Sequence, residues 1–244
     1  MEMYKLEKLR AFAADKKSHV RLDETQLKQF ELLCSLLIEA NKTTNLTAIT
    51  DPEEIEVKHF IDSLMAVNLI KRHSDGEHFS LIDIGCGAGF PGLPLKILFP
   101  QAEFVLVDSI TKKTDFVKYA IKELHLEKIV VETDRAEFLA RTQYRESFAF
   151  CTARAVADIP VLLEYCMPFL KIEGYCIFYK SGEYQDELAS AANAMNVLGG
   201  EQREIEEFTL PYSTASRSLI AVKKLVETPG KYPRKAGKPS KNPL

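Results

Sequence analysis

The sequence predicts an α/β fold: a Rossmann-like, mostly parallel sheet of about seven strands with helices on both faces, preceded by a helical extension. Three observations carry this. Apolar runs of strand length alternate with stretches of helical period from residue 79 to residue 198. A glycine-rich turn, Asp83-Ile84-Gly85-Cys86-Gly87-Ala88-Gly89-Phe90-Pro91-Gly92, joins the first apolar run to a helix. Residues 1–70 show helical periodicity and no strand.

In chain order, residues 3–14 and 23–41 place apolar side chains at helical spacing. In the second stretch Leu27, Phe30, Leu33, Leu37 and Ala40 share one face, and Asp23 is a natural N-cap. Asn41–Thr47 is polar and reads as a loop. Asp51-Pro52-Glu53-Glu54 opens a helix that runs to about Leu69, with proline in its first turn. Phe79–Ile84 is the first strand, and the glycine turn feeds a helix beginning at Leu93. Glu103–Asp108 is the second strand, and 112–124 a helix with Phe116, Tyr119, Ala120 and Leu124 on one face. Lys128–Val131 and Phe148–Thr152 follow as strands, 158–170 as a helix, Tyr175–Lys180 as the fifth strand and 183–198 as a helix. The runs 202–210 and 217–223, joined by Pro211-Tyr212-Ser213, form a closing hairpin that brings an antiparallel strand to the sheet. The expected organisation is a helical extension at 1–70, a sheet domain at 71–230 and a basic tail at 231–244.

Composition excludes several classes. With 46% hydrophobic residues in 244 the chain can bury a full core, and no apolar run is long enough to span a membrane. The start of the chain lacks the apolar stretch of a secretory signal. The five cysteines are odd in number and show no C-x-x-C, which indicates reduced thiols, a cytoplasmic setting and no metal site. Net charge is −3, but it is unevenly spread. Lys231, Arg234, Lys235, Lys238 and Lys241 give the tail +5, while the other 230 residues hold 27 basic and 35 acidic groups, or −8. A basic tail on an acidic body points to an anionic partner.

The glycine turn admits two registers. Gly87-Ala88-Gly89-Phe90-Pro91-Gly92 fits the G-x-G-x-x-G of dinucleotide sites. Read from Asp83, the same turn is an acid two residues before G-x-G-x-G, which resembles the first motif of class I S-adenosylmethionine (SAM) methyltransferases. An acid at the strand end repels a pyrophosphate but suits the ammonium and sulfonium of SAM, so the second register is favoured. Asp108, ending the second strand, suits a bidentate bond to ribose hydroxyls with either cofactor. The third strand leads into Asp134-Arg135-Ala136-Glu137, where such methyltransferases meet adenine.

The chain resembles the RsmG (GidB) family of 16S rRNA guanine-N7 methyltransferases from about residue 27 to its end. Asn41 with Asn45-Leu46-Thr47, His59-Phe60-Ile61-Asp62-Ser63-Leu64 and the glycine turn with its Phe90-Pro91 match that family's motifs. Arg135-Ala136-Glu137, Ala153–Ala157, Lys180 and Pro233-Arg234-Lys235-x-Gly237-x-Pro239 continue the match. Cys86 replaces the more usual Ser or Ala, Asp134 the common Gly, and Lys180-Ser181-Gly182 spaces Lys and Gly one residue wider. The resemblance implies SAM contacts at Gly85, Phe90, Ala136, Glu137 and Arg154; the Arg154 charge suits either the SAM carboxylate or an RNA phosphate. Asp83, Gly87, Gly89 and Asp108 join these as expected cofactor residues. Asn45, His59, Asp62, Lys180, Arg217, Arg234 and Lys235 are the expected RNA side. The implied partner is small-subunit ribosomal RNA, bare or as ribonucleoprotein, met by a monomer.

Guanine N7 carries a lone pair and no proton, so its methylation calls for orientation rather than a general base, and no catalytic base is assigned. His59, Asp62 and Ser63 share one helix, so a hydrolytic triad is not built from them; His59 and Asp62 are expected either to pair at i, i+3 and shape the RNA-facing side or to form a solvated helix face. Cys86 reads as a turn filler, His73 and His78 as surface residues and Met65 as core. Three further readings stay open: a SAM enzyme for a protein or small molecule, an NAD(P)-dependent oxidoreductase, and an RNA-binding assembly factor. The tail reads either as an RNA contact or as a solvated end.

Overall fold

The computed structural model describes residues 4–244. Met3, which the helical spacing includes, lies outside the described residues. The elements run α1 (Glu7–Ala14), α2 (Glu24–Thr44), α3 (Pro52–Ile55), a π-helical Glu56–Ile61, α4 (Asp62–Leu64), α5 (Val67–His73), β1 (Ser80–Ile84), α6 (Gly92–Leu98), β2 (Glu103–Val107), α7 (Thr111–Glu123), β3 (Ile129–Glu132) and α8 (Ala136–Leu139). They continue with β4 (Phe148–Arg154), α9 (Ile159–Cys166), β5 (Leu170–Ser181), α10 (Gln185–Ser190), α11 (Ala192–Leu198), β6 (Gly200–Thr209), β7 (Ser216–Lys224) and α12 (Lys238–Lys241).

Among the described residues the strands form one seven-stranded sheet in the order β3-β2-β1-β4-β5-β7-β6. β7 is antiparallel to β5 and to β6; the other pairings are parallel. The predicted architecture is therefore the observed one. Strand order reverses between β1 and β4, which opens a crevice at the carboxyl ends of the strands. Alternate strand residues serve two cores. Leu81, Phe104, Leu106, Phe150 and Ile177 pack with Leu9, Phe30, Leu37 and Phe60 of the N-terminal helices. Ile82, Val105, Val107, Cys151 and Phe178 pack with Leu163, Leu198 and Tyr232 on the other face.

Several element boundaries differ from the sequence reading. α2 runs through Thr44, so Asn41–Thr44 is its last turn rather than loop; Asp23 caps it with a reciprocal capping box to Gln26. The helix expected to end near Leu69 passes through the π-helical turn, breaks after Leu64 and resumes to His73. α9 stops at Cys166 because Pro168 cannot supply the next helical N–H; a 3-10 turn, Met167–Phe169, follows. β5 then starts at Leu170, five residues earlier than expected, and pairs with Phe148. The tail is ordered: Tyr232 and Pro239 are buried, and α12 contacts α9.

Candidate active site

The crevice holds two cavities. One, of about 330 Å³, lies beyond β1 and β2 and is lined by Gly85, Asp108, Asp134, Ala136, Glu137 and Val156 among others. Gly85 takes φ +70°, and a Cβ there would collide with a methyl of Val156, so only glycine fits this wall. Asp108 is fixed by two backbone amides: Gly87 N–H donates to Oδ2 and Ile110 N–H to Oδ1, each at 2.9 Å. Each oxygen keeps a second lone pair, which suits the two hydroxyls of a ribose. Asp108, Asp134 and Glu137 outnumber the wall cations Lys113 and Arg135, so the cavity favours a ligand with positive charge and has no cluster of cations for a pyrophosphate. Gly85, Asp108, Ala136 and Glu137 are thus brought together as the sequence predicted, and this donor set fits SAM.

The remaining expected cofactor residues stand elsewhere. Asp83 is fully buried behind the turn, with Oδ1 accepting from the Thr152 hydroxyl at 2.8 Å and Oδ2 from Gly92 N–H at 3.0 Å. It ties the turn to β4 and does not line the cavity, which corrects the expectation that it faces a ligand cation. Burial pushes its carboxyl up to about 7, against the pull of those two hydrogen bonds. Gly87 contributes its N–H to Asp108, and Gly89 packs on Leu93. Phe90 is buried and lines neither cavity; it backs two residues of the second, its ring stacked on His59 at 4.5 Å and 5°, with the Arg154 guanidinium 5.6 Å from its centre.

That second cavity, about 500 Å³, is lined by Lys58, His59, Asp62, Arg154, Lys180 and Arg217 with Ile49, Ala155 and Tyr179. Ala155 lines both cavities and takes a left-handed φ of +56°, so it forms the divide between them. Asp62 is buried and accepts from two guanidiniums, Arg154 Nη1 at 2.9 Å and Arg217 Nε at 3.3 Å. The expected His59–Asp62 pair does not form, because both ring nitrogens of His59 are engaged elsewhere. His59 instead meets Arg154 Nη2 through Nδ1 at 3.3 Å and Thr47 Oγ1 through Nε2 at 2.9 Å. A guanidinium can only donate, so Nδ1 accepts and Nε2 carries the proton that it donates to Thr47. Burial first, then Arg154, pushes the imidazole down to about 3, so it is neutral at physiological pH.

Arg154 therefore stands at the second cavity with His59 and Asp62, not against the first. Lys180 pairs with Glu187 at 2.6 Å and donates to Ala157 O at 3.2 Å, holding the segment after β4. Asn45 is the exposed left-handed cap of α2. Asn41 is the residue that shapes this loop: its Oδ1 accepts from Leu46 N–H and Thr47 N–H and its Nδ2 donates to Thr47 O. Arg234 lies apart, in a bidentate pair with the buried Glu164, and Lys235 is exposed on the tail. Sequence reasoning missed Thr47 as the partner of His59, Lys58 as a wall cation and Val156 as the neighbour of Gly85. Val156 follows directly on the Ala153–Ala155 run at the end of β4, which was the available signal.

The Cys86 thiol is buried and pushed up by burial, in keeping with a turn filler rather than a nucleophile. His73 is half-buried, stacked on Tyr175 and paired with Glu204. No helix of the described residues is long and apolar enough to cross a membrane.

A family model described as GidB, rRNA small subunit methyltransferase G, matches residues 26–220. The chain is 46% identical over 226 residues to the Ribosomal RNA small subunit methyltransferase G of Acetivibrio thermocellus, covering 92% of this chain and 91% of that one. It is 46% identical over 227 residues to the protein of the same name from Desulfitobacterium hafniense (strain Y51), covering 93% and 92%. Among solved structures, a SAM dependent methyltransferase from Aquifex aeolicus is similar with a TM-score of 0.52 at 14% identity, covering 76% of this chain and 97% of that one. At that identity the likeness is one of fold.

Proposed function

The chain belongs to the rRNA small subunit methyltransferase G (GidB) family, and on that premise we propose that it methylates N7 of a guanine in a loop of small-subunit ribosomal RNA. It is a SAM-dependent rRNA methyltransferase. The observation that carries the finer reading is the meeting of two unlike cavities at Ala155. The first offers paired acceptors and excess negative charge; the second offers four cations, Lys58, Arg154, Lys180 and Arg217, against Asp62 and Glu187. A cationic cofactor and an anionic polynucleotide suit these walls respectively.

When bound, SAM supplies an electrophilic methyl group. In this reading Gly85, Asp108, Ala136 and Glu137 hold the cofactor. Asp62 and neutral His59 fix the Arg154 guanidinium, and Phe90 gives that guanidinium a flat apolar floor. Neutral guanine N7 has a free lone pair, so the residues need only orient the base in line at about 3–3.5 Å and exclude water. His59 is not called on as a base, and no other general base is required. A loop guanine suits the site because its edge is open to protein contact. Asn45 and Lys235, both exposed, are candidate phosphate contacts. The protein is proposed to act in the cytoplasm as a monomer, on rRNA or an assembling subunit.

Mass spectrometry of small-subunit rRNA fragments from wild-type and deletion strains tests this. Loss of a single 7-methylguanine in the deletion strain, restored by the gene, is expected. An unchanged modification map overturns the reading, and loss of a methyl group at another base atom overturns the N7 assignment.

A further inference from the structure

We propose that the C-terminal segment is a strap that positions the wall of the cofactor cavity, with Gly237 as the residue that sets Glu137. This rests on the reading of that cavity as the SAM site.

The strap is anchored before it reaches the cavity. Tyr232 is buried in the second core. Arg145 donates to Tyr232 O at 2.9 Å and to Thr228 O at 2.6 Å, and Arg141 donates to Pro233 O. Arg234 then closes on Glu164 of α9, a carboxylate with no solvent exposure, through its backbone N–H at 2.7 Å and its guanidinium at 2.6–3.0 Å. A buried carboxylate is costly unless paired, so this clamp fixes where the next residues lie.

Three residues on, the chain meets the cavity wall. Gly237 takes φ +78° and donates its N–H to Glu137 Oε1 at 3.1 Å. Glu137 stands in the first turn of α8, beside Ala136 on the wall. Tyr165, next to Glu164 on α9, is also on the wall, and α12 of the strap packs against α9. The tail thus grips the 136–145 segment at Glu137, Arg141 and Arg145, and grips α9 at Glu164. Both helices supply one side of the cavity. The basic charge of the tail suggested an RNA arm; the contacts of Arg234 and Gly237 run to the cofactor wall and its support, and leave Lys235 exposed. Holding a carboxylate in its working geometry removes an ordering cost from ligand binding.

The test compares the wild type with a truncation ending at Ala236, which keeps Tyr232, Arg234 and Lys235, and with Arg234→Ala and Arg234→Lys, which act on the clamp and not on the cavity wall. Binding of S-adenosylhomocysteine is measured by calorimetry and binding of a small-subunit rRNA fragment by filter retention. The strap requires that truncation and Arg234→Ala each weaken S-adenosylhomocysteine at least tenfold. Arg234→Lys, which keeps a cation against Glu164, should lose clearly less than Arg234→Ala. RNA affinity should be unchanged in all variants, and KM for SAM should rise with kcat preserved at saturation. Wild-type S-adenosylhomocysteine affinity in the truncation, or a loss confined to RNA affinity, overturns the proposal. If the truncation fails to fold, the Arg234 pair decides alone. Failure of the wild type to bind S-adenosylhomocysteine overturns the cofactor reading instead.

Discussion

Arg154 and Asp62 are joined across 92 residues of sequence by a 2.9 Å bond, and Asp62 also holds Arg217 at 3.3 Å. One carboxylate therefore serves two guanidiniums, with Arg154 the more buried of the two. Asp62→Ala leaves Arg154 charged and without its counter-ion. Breaking a buried pair in this way costs about 3–5 kcal/mol, and the lower end applies because the cavity is open to solvent. Urea unfolding measures it, and Asp62→Asn, which keeps one acceptor oxygen, should lose about half as much. A loss below about 1 kcal/mol for Asp62→Ala would show that the pair is not the organiser of the second cavity.

Gly85→Ala meets two penalties. The left-handed backbone costs an L-residue about 1–3 kcal/mol, and the new methyl collides with Val156. S-adenosylhomocysteine binding should fall at least tenfold. The double variant Gly85→Ala with Val156→Ala should recover part of that loss, since it removes the collision and leaves the strain. Gly76→Ala is the control: it carries the same kind of strain at φ +91° with open space around its Cβ, and should leave binding unchanged.

The architecture was legible because strands buried on both faces read as apolar runs. Phe104–Val107 is one such run, and glycine and proline punctuate the ends. Side-chain direction at the strand ends was not. Asp83 and Asp108 look alike in sequence, each an acid closing a strand. Asp83 lies on β1, where the Gly92 amide and Thr152 of β4 draw its carboxylate inward. Asp108 lies past the end of β2, where Gly87 and Ile110 hold it at the cavity. The partners that decide such placements are 69 residues away for Thr152, 95 for His59 and Arg154, and 70 for Arg234 and Glu164. No local pattern encodes them. In the tail, likewise, the charges were visible in the sequence and the buried acceptor of Arg234, Glu164, was not.

Asp83 and His59 give opposite pH dependences. The folded Asp83 carboxyl, at about 7, keeps a proton that the unfolded chain releases near its ordinary value of 3.8. Its contribution to stability therefore falls as pH rises from about 4 to about 7. The folded His59 imidazole, at about 3, refuses a proton that the unfolded chain takes up near 6.5, so its contribution falls as pH drops below about 6.5. Between about pH 4 and 6.5 the two slopes offset each other. Asp83→Asn leaves the histidine slope uncovered, at about 1.4 kcal/mol per pH unit. Urea unfolding should therefore show Asp83→Asn gaining on wild type as pH is raised from 5 to 7. Parallel stability curves across that range would mean that Asp83 is ionised in the fold throughout.

Of the second cavity's cations, Lys58 is the one best placed to exchange its partner for a phosphate. Arg154 and Arg217 are held by Asp62, and Lys180 by Glu187. Lys58 pairs with Glu54 four residues before it, and both side chains are substantially exposed. Such a surface pair is worth well under about 1 kcal/mol, so little opposes its replacement by an RNA phosphate. A phosphate contact carries no base information and shows itself through released counterions. Lys58→Ala should weaken rRNA binding to a similar extent for all sequences and make the slope of log K against log salt shallower by about 0.7. S-adenosylhomocysteine binding should be unaltered, since Lys58 lies on the far side of Ala155 from the cofactor wall. An unchanged salt slope would remove Lys58 from the RNA path and leave the more tightly held arginines to carry it.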